Sequence, residues 1–167
     1  THNALFTIDA NGTLRTNAIL DHEAKSSHSI RVRVTDENNA TFEKVFAISV
    51  GDLNEVPNIT SFDGNATVAI SIGEGSRFRQ TIQVTDPDGD ALVYSLLGGA
   101  DDGEFSINAA TGELTLIGFP NFENQRDANG DNLYEATVSV SAGKGGSDTQ
   151  AVSYTHLTLP TPPTRGD

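Results

Sequence analysis

Apolar and polar residues alternate with a period of two along most of the chain, and helical periodicity is almost absent. In residues 29–35, Ile30, Val32 and Val34 fall on one face of an extended segment, with arginines on the other. Turn-forming pairs such as Asn-Gly, Asp-Gly and Gly-Gly separate segments of this kind. Short strands at this spacing predict an all-β sandwich. The predicted strands are residues 29–35, 42–50, 68–72, 81–85, 92–96 and 136–141, with a possible β-bulge in the second.

The chain also repeats itself. Residues 6–14, Phe-Thr-Ile-Asp-Ala-Asn-Gly-Thr-Leu, are matched by Phe-Ser-Ile-Asn-Ala-Ala-Thr-Gly-Glu-Leu at residues 105–114. The two phenylalanines are 99 positions apart, which is the length of one sandwich domain. Residues 32–36 and 138–142 form a second matched pair of strand ends. A period of this length predicts tandem domains, each with its own core.

This repeat predicts three segments. Residues 1–56 are the C-terminal part of a truncated first copy, and residues 57–151 form the second copy. From residue 152 the alternation gives way to a Pro/Thr-rich stretch that resembles one reading frame of a sequencing-library adapter. We therefore interpret residues 152–167 as a non-native tail and exclude them from the predicted fold.

Composition narrows the class of function. The chain has 10 basic and 23 acidic residues, a formal charge of −13. This balance is unsuited to nucleic acid or an anionic membrane surface, which require clustered Lys and Arg, and it favours cations as partners. Cysteine is absent, so the chain has no disulfide or thiolate chemistry. No apolar run reaches the length of a membrane span, so we expect no direct membrane insertion by these residues.

Catalysis is not predicted. An enzyme requires a nucleophile with a base, or a pair of carboxylates in a pocket. The four histidines, His2, His22, His28 and His156, lie in no recognisable catalytic motif. We therefore expect a protein that is not an enzyme.

Three acidic motifs occur in order along the chain. They are Leu-Asp-His-Glu at residues 20–23, Asp-Leu-Asn-Glu-Val-Pro at residues 52–57, and Val-Thr-Asp-Pro-Asp at residues 84–88. Calcium takes six to eight oxygen ligands, which a single acidic turn does not supply. Together with the repeated Phe-x-Ile stretch and the Val-Thr-Asp strand end, these motifs resemble the cadherin family from about residue 4 to residue 151.

The resemblance implies a Greek-key, immunoglobulin-like β-sandwich in tandem cadherin-like repeats, with Ca²⁺ at the junction between consecutive repeats. It implies a calcium-binding adhesion or spacer module on the cell surface, in a membrane-anchored parent protein. Expected partners are calcium and either like repeats (homophilic adhesion) or a surface polysaccharide. Since Ala142 stands where the family pattern has an aspartate, we expect one or two weakly bound ions. The implied ligands are Asp21, Glu23, Asp52, Asn54, Glu55, Asp86 and Asp88.

Two loops partly match the sequence of an EF-hand calcium-binding loop. Residues 127–131, Asp-Ala-Asn-Gly-Asp, match its opening, but Asn132 and Val138 stand where the motif has Gly and Glu. Residues 86–90 fail at the same two positions. Neither loop is therefore predicted to be an EF-hand. The longer loop instead resembles those of bacterial cadherin-like repeats, which implies a bacterial surface protein.

A calcium-dependent carbohydrate-binding module is the alternative. Such modules stack exposed aromatic side chains on sugar rings. The motif phenylalanines Phe6, Phe46 and Phe105 are predicted to lie in the core. Two or three exposed aromatic residues on one sheet face would favour this alternative.

Overall fold

The computed structural model describes residues 2–73, 76–119, 121, 124 and 126–157. Contacts within the chain define two compact units, Thr1–Asn54 and Glu55–Asp167. The border between the units, after Asn54, lies two residues before the border after residue 56 that the repeat predicts. No helix of the described residues has the length and apolarity needed to cross a membrane.

The first unit consists of two β-hairpins. β1 (Phe6–Ile8) pairs with β2 (Leu14–Thr16), and β3 (Ser27–Thr35) pairs with β4 (Thr41–Ser49), both antiparallel. Aspartates close both turns: Asp9 Oδ1 accepts hydrogen bonds from the N–H groups of Asn11 and Thr13, at 3.0 and 2.9 Å. Asp36 Oδ1 does the same for Asn38 and Ala40 at the second turn. These are the side-chain-to-backbone turns that favour Asp at such positions.

The bulge expected in residues 42–50 is not present. The β3–β4 register runs without a shift from Ser27 opposite Ser49 to Thr35 opposite Thr41. Cross-strand partners share a face, so Phe42 lies beside Val34, and Phe46 beside Ile30. A register shift occurs instead in the second unit, in the strand that contains Thr137 and Val138.

The second unit is a two-layer sandwich. One layer is a four-stranded sheet of β6 (Thr67–Gly73), β13 (Ser147–Leu157), β12 (Leu133–Ala142) and β9 (Leu92–Gly98), in that order. The neighbouring strands β6 and β13, which are the first and last of this sheet along the chain, pair in parallel, and the other pairs are antiparallel. This is the all-β, immunoglobulin-like architecture that the sequence predicts.

The second layer is smaller. β10 (Phe105–Ile107), β11 (Glu113–Leu116) and β7 (Arg79–Thr81) form a three-stranded sheet, and β5 (Asn58–Ile59) pairs with β8 (Val84–Thr85). The segment predicted as a single strand at 81–85 is therefore divided between β7 and β8. Ile82 lies between them, 1% exposed, and its N–H donates to the Gly112 carbonyl at 2.9 Å.

The core of the second unit lies between its two sheets. Leu114, Val138 and Val140 are fully buried, and the rings of Tyr134 and Tyr154 lie 5.8 Å apart. Alternate residues of β12 and β13 supply six of the thirteen buried residues of this core, as the period-two pattern predicts.

The fold extends into the segment excluded as a tail, so the predicted end of the second copy at residue 151 is wrong. β13 continues to Leu157 and places Val152 and Tyr154 in the core, with exposures of 1% and 0%. The alternation of apolar Val152 and Tyr154 with polar Ser153 and Thr155 explains this continuation. The origin of the sequence beyond residue 151 stays a prediction, and residues 158–167 lie outside the described part of the chain.

Candidate metal centre

The first unit brings two of the predicted ligands together with a histidine. His22 Nδ1 lies 3.0 Å from Glu23 Oε1 and 3.7 Å from Asp52 Oδ1. One ligating atom from each of the three side chains lies within 4.8 Å of the others. Glu23 comes from the turn before β3, and Asp52 from the segment that follows β4. The group is partly open to solvent, since the Asp52 side chain is 52% exposed.

Asp21 and Asn54 occupy different environments. Asp21 Oδ1 accepts a hydrogen bond of 2.9 Å from the Ala24 N–H, and the Asp21 carbonyl accepts one of 3.0 Å from the Lys25 N–H. Asp21 thus closes the turn that presents Glu23. Asn54 is the last residue of the first unit. Neither belongs to the group formed by His22, Glu23 and Asp52.

The second unit brings three aspartates together in the loop between β8 and β9. Asp86, Asp88 and Asp90 each place a carboxylate oxygen within 4.8 Å of the other two, and all three are partly buried. Asp86 Oδ1 accepts the Asp90 N–H at 3.2 Å, and the Asp86 carbonyl accepts the Gly89 N–H at 3.2 Å. Gly89, with φ of +69°, makes the left-handed turn between Asp88 and Asp90.

Glu55, the first residue of the second unit, is held to this loop. Its backbone N–H donates a hydrogen bond of 2.8 Å to Asp88 Oδ2. Within this unit the structure therefore places three predicted ligands, Glu55, Asp86 and Asp88, at one loop.

This aspartate loop fits a hard divalent cation. Asp86 Oδ2 and Asp90 Oδ2 are both buried, and neither has a hydrogen-bond partner among the residues that the structure describes. A buried carboxylate oxygen without a partner is costly, and neighbouring carboxylates repel one another. An all-oxygen group of this kind suits Ca²⁺.

A lysine borders the same loop. Lys144 Nζ lies 3.1 Å from Asp90 Oδ1, and it reaches there from the turn between β12 and β13. Its side chain is 61% exposed, whereas that of Asp90 is 10% exposed. The turn begins beside Ala142, the position at which the family resemblance leads one to expect an aspartate. Lys144 therefore balances part of the negative charge of the loop.

His22 and Asp90 are not among the ligands that the sequence indicates. His22 occupies the variable position of the Leu-Asp-x-Glu motif, so the resemblance gave it no role. Asp90 follows Asp86 and Asp88 at the same spacing of two, but it was considered only as part of an EF-hand loop. The regular Asp-x-Asp-x-Asp spacing is the signal that could have identified it.

Residues 26–114, just over half the chain, match the model of the family described as the halobacterial Ig-like domain. The chain belongs to this family. The match extends across both units.

The curated proteins that this chain resembles include several cadherins. Mouse protocadherin Fat 2 is 29% identical over 134 residues, which cover 72% of this chain and 3% of that protein. Human protocadherin Fat 1 is 30% identical over 108 residues, 63% of this chain and 2% of that protein. The chain thus spans a very small part of the relatives it matches. Together with the fold, these similarities show that its repeats are cadherin-like.

Solved structures show the same architecture. Domains EC1-4 of Drosophila N-cadherin match with a TM-score of 0.67 at 18% identity, over 93% of this chain and 40% of that one. Domains EC22-24 of mouse cadherin-23 match with a TM-score of 0.62 at 20% identity, over 95% of this chain and 51% of that one. At these identities the likeness shows the fold.

Proposed function

We propose that this chain is a calcium-binding spacer from a cell-surface adhesion protein, and that it has no catalytic role. The observation that carries the proposal is the aspartate loop, in which Asp86 Oδ2 and Asp90 Oδ2 are buried without partners. The cadherin-like fold supports the adhesive role, and the names of the relatives support an extracellular location. A bacterial source is likewise a proposal.

The proposed ligands are the seven that the sequence indicates, together with His22 and Asp90. His22, Glu23 and Asp52 form a group in the first unit, and Asp86, Asp88 and Asp90 form one in the second. Asp21 closes the turn that presents Glu23, and Asn54 and Glu55 continue the chain from Asp52 into the second unit. Calcium bound at these ligands supplies positive charge and takes six to eight oxygen ligands. With that charge in place, the carboxylates of both groups no longer repel one another, and the linker loses conformational freedom. Repeated along a parent protein, such junctions stiffen a rod.

The test is thermal unfolding of the whole chain in calcium and in chelator. At millimolar affinity, ~10 mM calcium stabilises the folded form by roughly 1.4 kcal/mol per site. The variant Asp86→Asn keeps a hydrogen-bond acceptor but removes the charge, so it should lose most of this gain. Asp63→Asn is the matched control, because Asp63 is exposed and its φ of +60° suits asparagine equally well. Equal calcium responses in Asp86→Asn and Asp63→Asn would contradict the proposal.

The junctional role has a separate readout. Small-angle scattering in calcium should show a narrower distribution of dimensions than scattering in chelator, and Asp52→Asn should remove the difference. If calcium raises the melting temperature but does not narrow the distribution of dimensions, calcium binds within one unit and does not stiffen the linker.

Carbohydrate binding remains the second candidate because one observation favours it. Phe42 and Phe46 lie on one face of β4 and are 69% and 41% exposed, so the expectation that Phe46 is in the core is wrong. Phe6 and Phe105 are buried, as expected. Binding of the chain to soluble polysaccharides, weakened by Phe42→Ala, would support this candidate.

The surroundings of the two phenylalanines argue against stacking on sugars. Phe46 lines an apolar cavity of about 350 Å³ together with aliphatic residues that include Ile30 and Val32. In the second unit, the residues matched to Val32 and Val34 are Val138 and Val140, which are fully buried. This face of the first unit therefore has the composition of a sandwich core.

A further inference from the structure

The loop that leads into β12 is wound around one aspartate. Asp127 Oδ2 accepts hydrogen bonds from the backbone N–H groups of Asp131, at 2.7 Å, and Asn132, at 3.2 Å. Asn129 Oδ1 accepts from the same Asp131 N–H at 3.1 Å. One oxygen of the Asp127 carboxylate thus closes the loop, and the other, Oδ1, remains for a different partner.

That partner is not found among the described residues. Asp127 is 8% exposed and Asn132 is 7% exposed. Oδ1 of each is inaccessible to solvent and has no hydrogen-bond partner in the described part of the chain. The adjacent cation, Arg126, is directed elsewhere, since its Nη2 lies 3.1 Å from Glu104 Oε2. Two buried oxygens without partners, one of them on a carboxylate, are costly to desolvate, and a bound cation would offset that cost.

We propose that residues 127–133 bind a divalent cation, with Ca²⁺ as the ion that the oxygen ligands suit. Asp127 Oδ1 and Asn132 Oδ1 are the buried ligands. Asn129 and Asp131, which are exposed, add side-chain oxygens from the solvent side. The chain has no cysteine, and no other soft ligand lies in this loop. Oxygen ligands of this kind select calcium over zinc or copper.

The backbone conformation of the loop explains how it turns without the glycine of an EF-hand loop. An EF-hand loop has side-chain ligands at positions 1, 3 and 5, and glycine at position 6 for a sharp turn. Here Asn132 makes that turn itself with φ of +62°, a left-handed conformation that asparagine tolerates better than most residues. Glycine is therefore not needed at the sixth position.

The loop nonetheless differs from an EF-hand. Val138, in the twelfth position, is fully buried in β12 and provides no carboxylate. With one strong ligand fewer, the affinity should fall in the weak range of extracellular calcium modules, a Kd of about 10⁻⁴ to 10⁻³ M.

The site is held by a second buried aspartate. Asp101 is 5% exposed, and its carboxylate accepts hydrogen bonds from the N–H groups of Ala128, at 2.6 Å, and Glu135, at 2.9 Å. These two bonds attach the loop and the start of β12 to the segment before β10. An ion on Asp127 therefore binds to a loop whose base is already fixed.

The test uses the whole chain with Asp86→Asn, Asp88→Asn, Glu23→Gln and Asp52→Asn already introduced, so that neither group of ligands proposed above contributes. Calorimetric titration with calcium should show one remaining site. Adding Asp127→Asn should weaken it at least tenfold, because it removes the only buried charge among the ligands. Asp102→Asn is the matched control, since Asp102 is an exposed neighbour of Asp101 with the same charge change.

Thermal unfolding distinguishes a metal site from a merely structural carboxylate. In chelator, Asp127→Asn should melt at the same temperature as its parent or higher, because the substitution keeps an acceptor oxygen for the backbone N–H groups and removes a buried negative charge that no cation neutralises. In calcium it should melt lower. If Asp127→Asn does not fold, Asn132→Gly replaces it, because glycine keeps the positive φ and removes only the side-chain oxygen; it should weaken calcium binding severalfold. The proposal is overturned if the parent shows no calcium binding, or if neither variant weakens it relative to Asp102→Asn.

Discussion

The backbone N–H of Glu55 donates a hydrogen bond of 2.8 Å to Oδ2 of Asp88. Asp88 therefore has two possible roles: its oxygen holds the start of the second unit, and its charge belongs to the proposed calcium group. Two substitutions separate these roles, because asparagine keeps an acceptor oxygen but carries no charge.

Asp88→Asn should leave the melting temperature in chelator nearly unchanged and reduce the gain produced by calcium. Asp88→Ala should in addition lower the melting temperature in chelator. The lost hydrogen bond reduces the free energy of unfolding by roughly 0.5–1.5 kcal/mol. Thermal unfolding of both variants, with and without calcium, checks this. Identical behaviour of the two variants in chelator would show that the bond to Glu55 does not contribute to stability.

Lys144 should compete with calcium. Its ammonium lies 3.1 Å from Asp90 Oδ1 and is largely exposed, so the ion pair contributes only ~0.2–1 kcal/mol. Removing the positive charge with Lys144→Gln should therefore tighten calcium binding by roughly two- to fivefold. Calorimetric titration measures the change, and Lys44→Gln in β4 provides a control for the same change in net charge. An affinity that is unchanged or lower in Lys144→Gln would contradict the proposed position of the ion.

Two leucines at matched positions of the repeat should respond differently to truncation. Leu114 is fully buried in the second unit, whereas Leu14 is 39% exposed in the first. Leu114→Ala should destabilise the second unit by about 2–5 kcal/mol, because it leaves a cavity in the core. Leu14→Ala should have a clearly smaller effect. Denaturant unfolding of both variants makes the comparison, and equal effects would contradict the difference in packing.

The folded chain should extend past residue 151 to at least Leu157. A protein ending at residue 151 lacks Val152 and Tyr154 of β13, which pair with Ala136 and Tyr134 of β12. The loss of two core side chains exceeds about 4 kcal/mol, which is comparable to the whole stability of many domains. Near-UV circular dichroism should show a disordered second unit in that protein. A protein ending at residue 157 should melt like the full chain.

Stability should fall at alkaline pH because of the buried tyrosines. Burial raises the pKa of Tyr154 and of Tyr134 above the usual value of about 10. In the unfolded chain these groups lose their protons near pH 10, while in the folded chain they keep them. The stability is therefore complete below about pH 10 and is lost as the pH rises through the higher folded-state pKa.

Tyr154→Phe should reduce this alkaline loss and leave the melting temperature near neutral pH unchanged or higher. The reason is that the Tyr154 hydroxyl has no hydrogen-bond partner among the described residues. Melting temperatures measured from neutral pH to above pH 10 test this. An equally steep alkaline decline in Tyr154→Phe would show that other groups cause it.

The sequence by itself determined the fold class and most strand positions, and it supplied most of the proposed ligands. Period-two alternation specifies a strand locally, because successive side chains point to opposite faces, and this indicated β3, β6 and β12 correctly. The spacing of Phe6 and Phe105 likewise indicated the repeat. Asp86 and Asp88 could be proposed as ligands from their motif, because the affinity of carboxylates for calcium depends on residue type.

Only the tertiary structure decided which residues are buried and which oxygens lack partners. Phe46 and Val138 both lie in alternating strands, but the first is 41% exposed and the second fully buried, since burial depends on what another strand places against them. Asn132 takes a left-handed conformation that no spacing rule predicts. The partnerless oxygen of Asp127 arises from hydrogen bonds and packing around a folded loop, and a linear pattern does not contain that information.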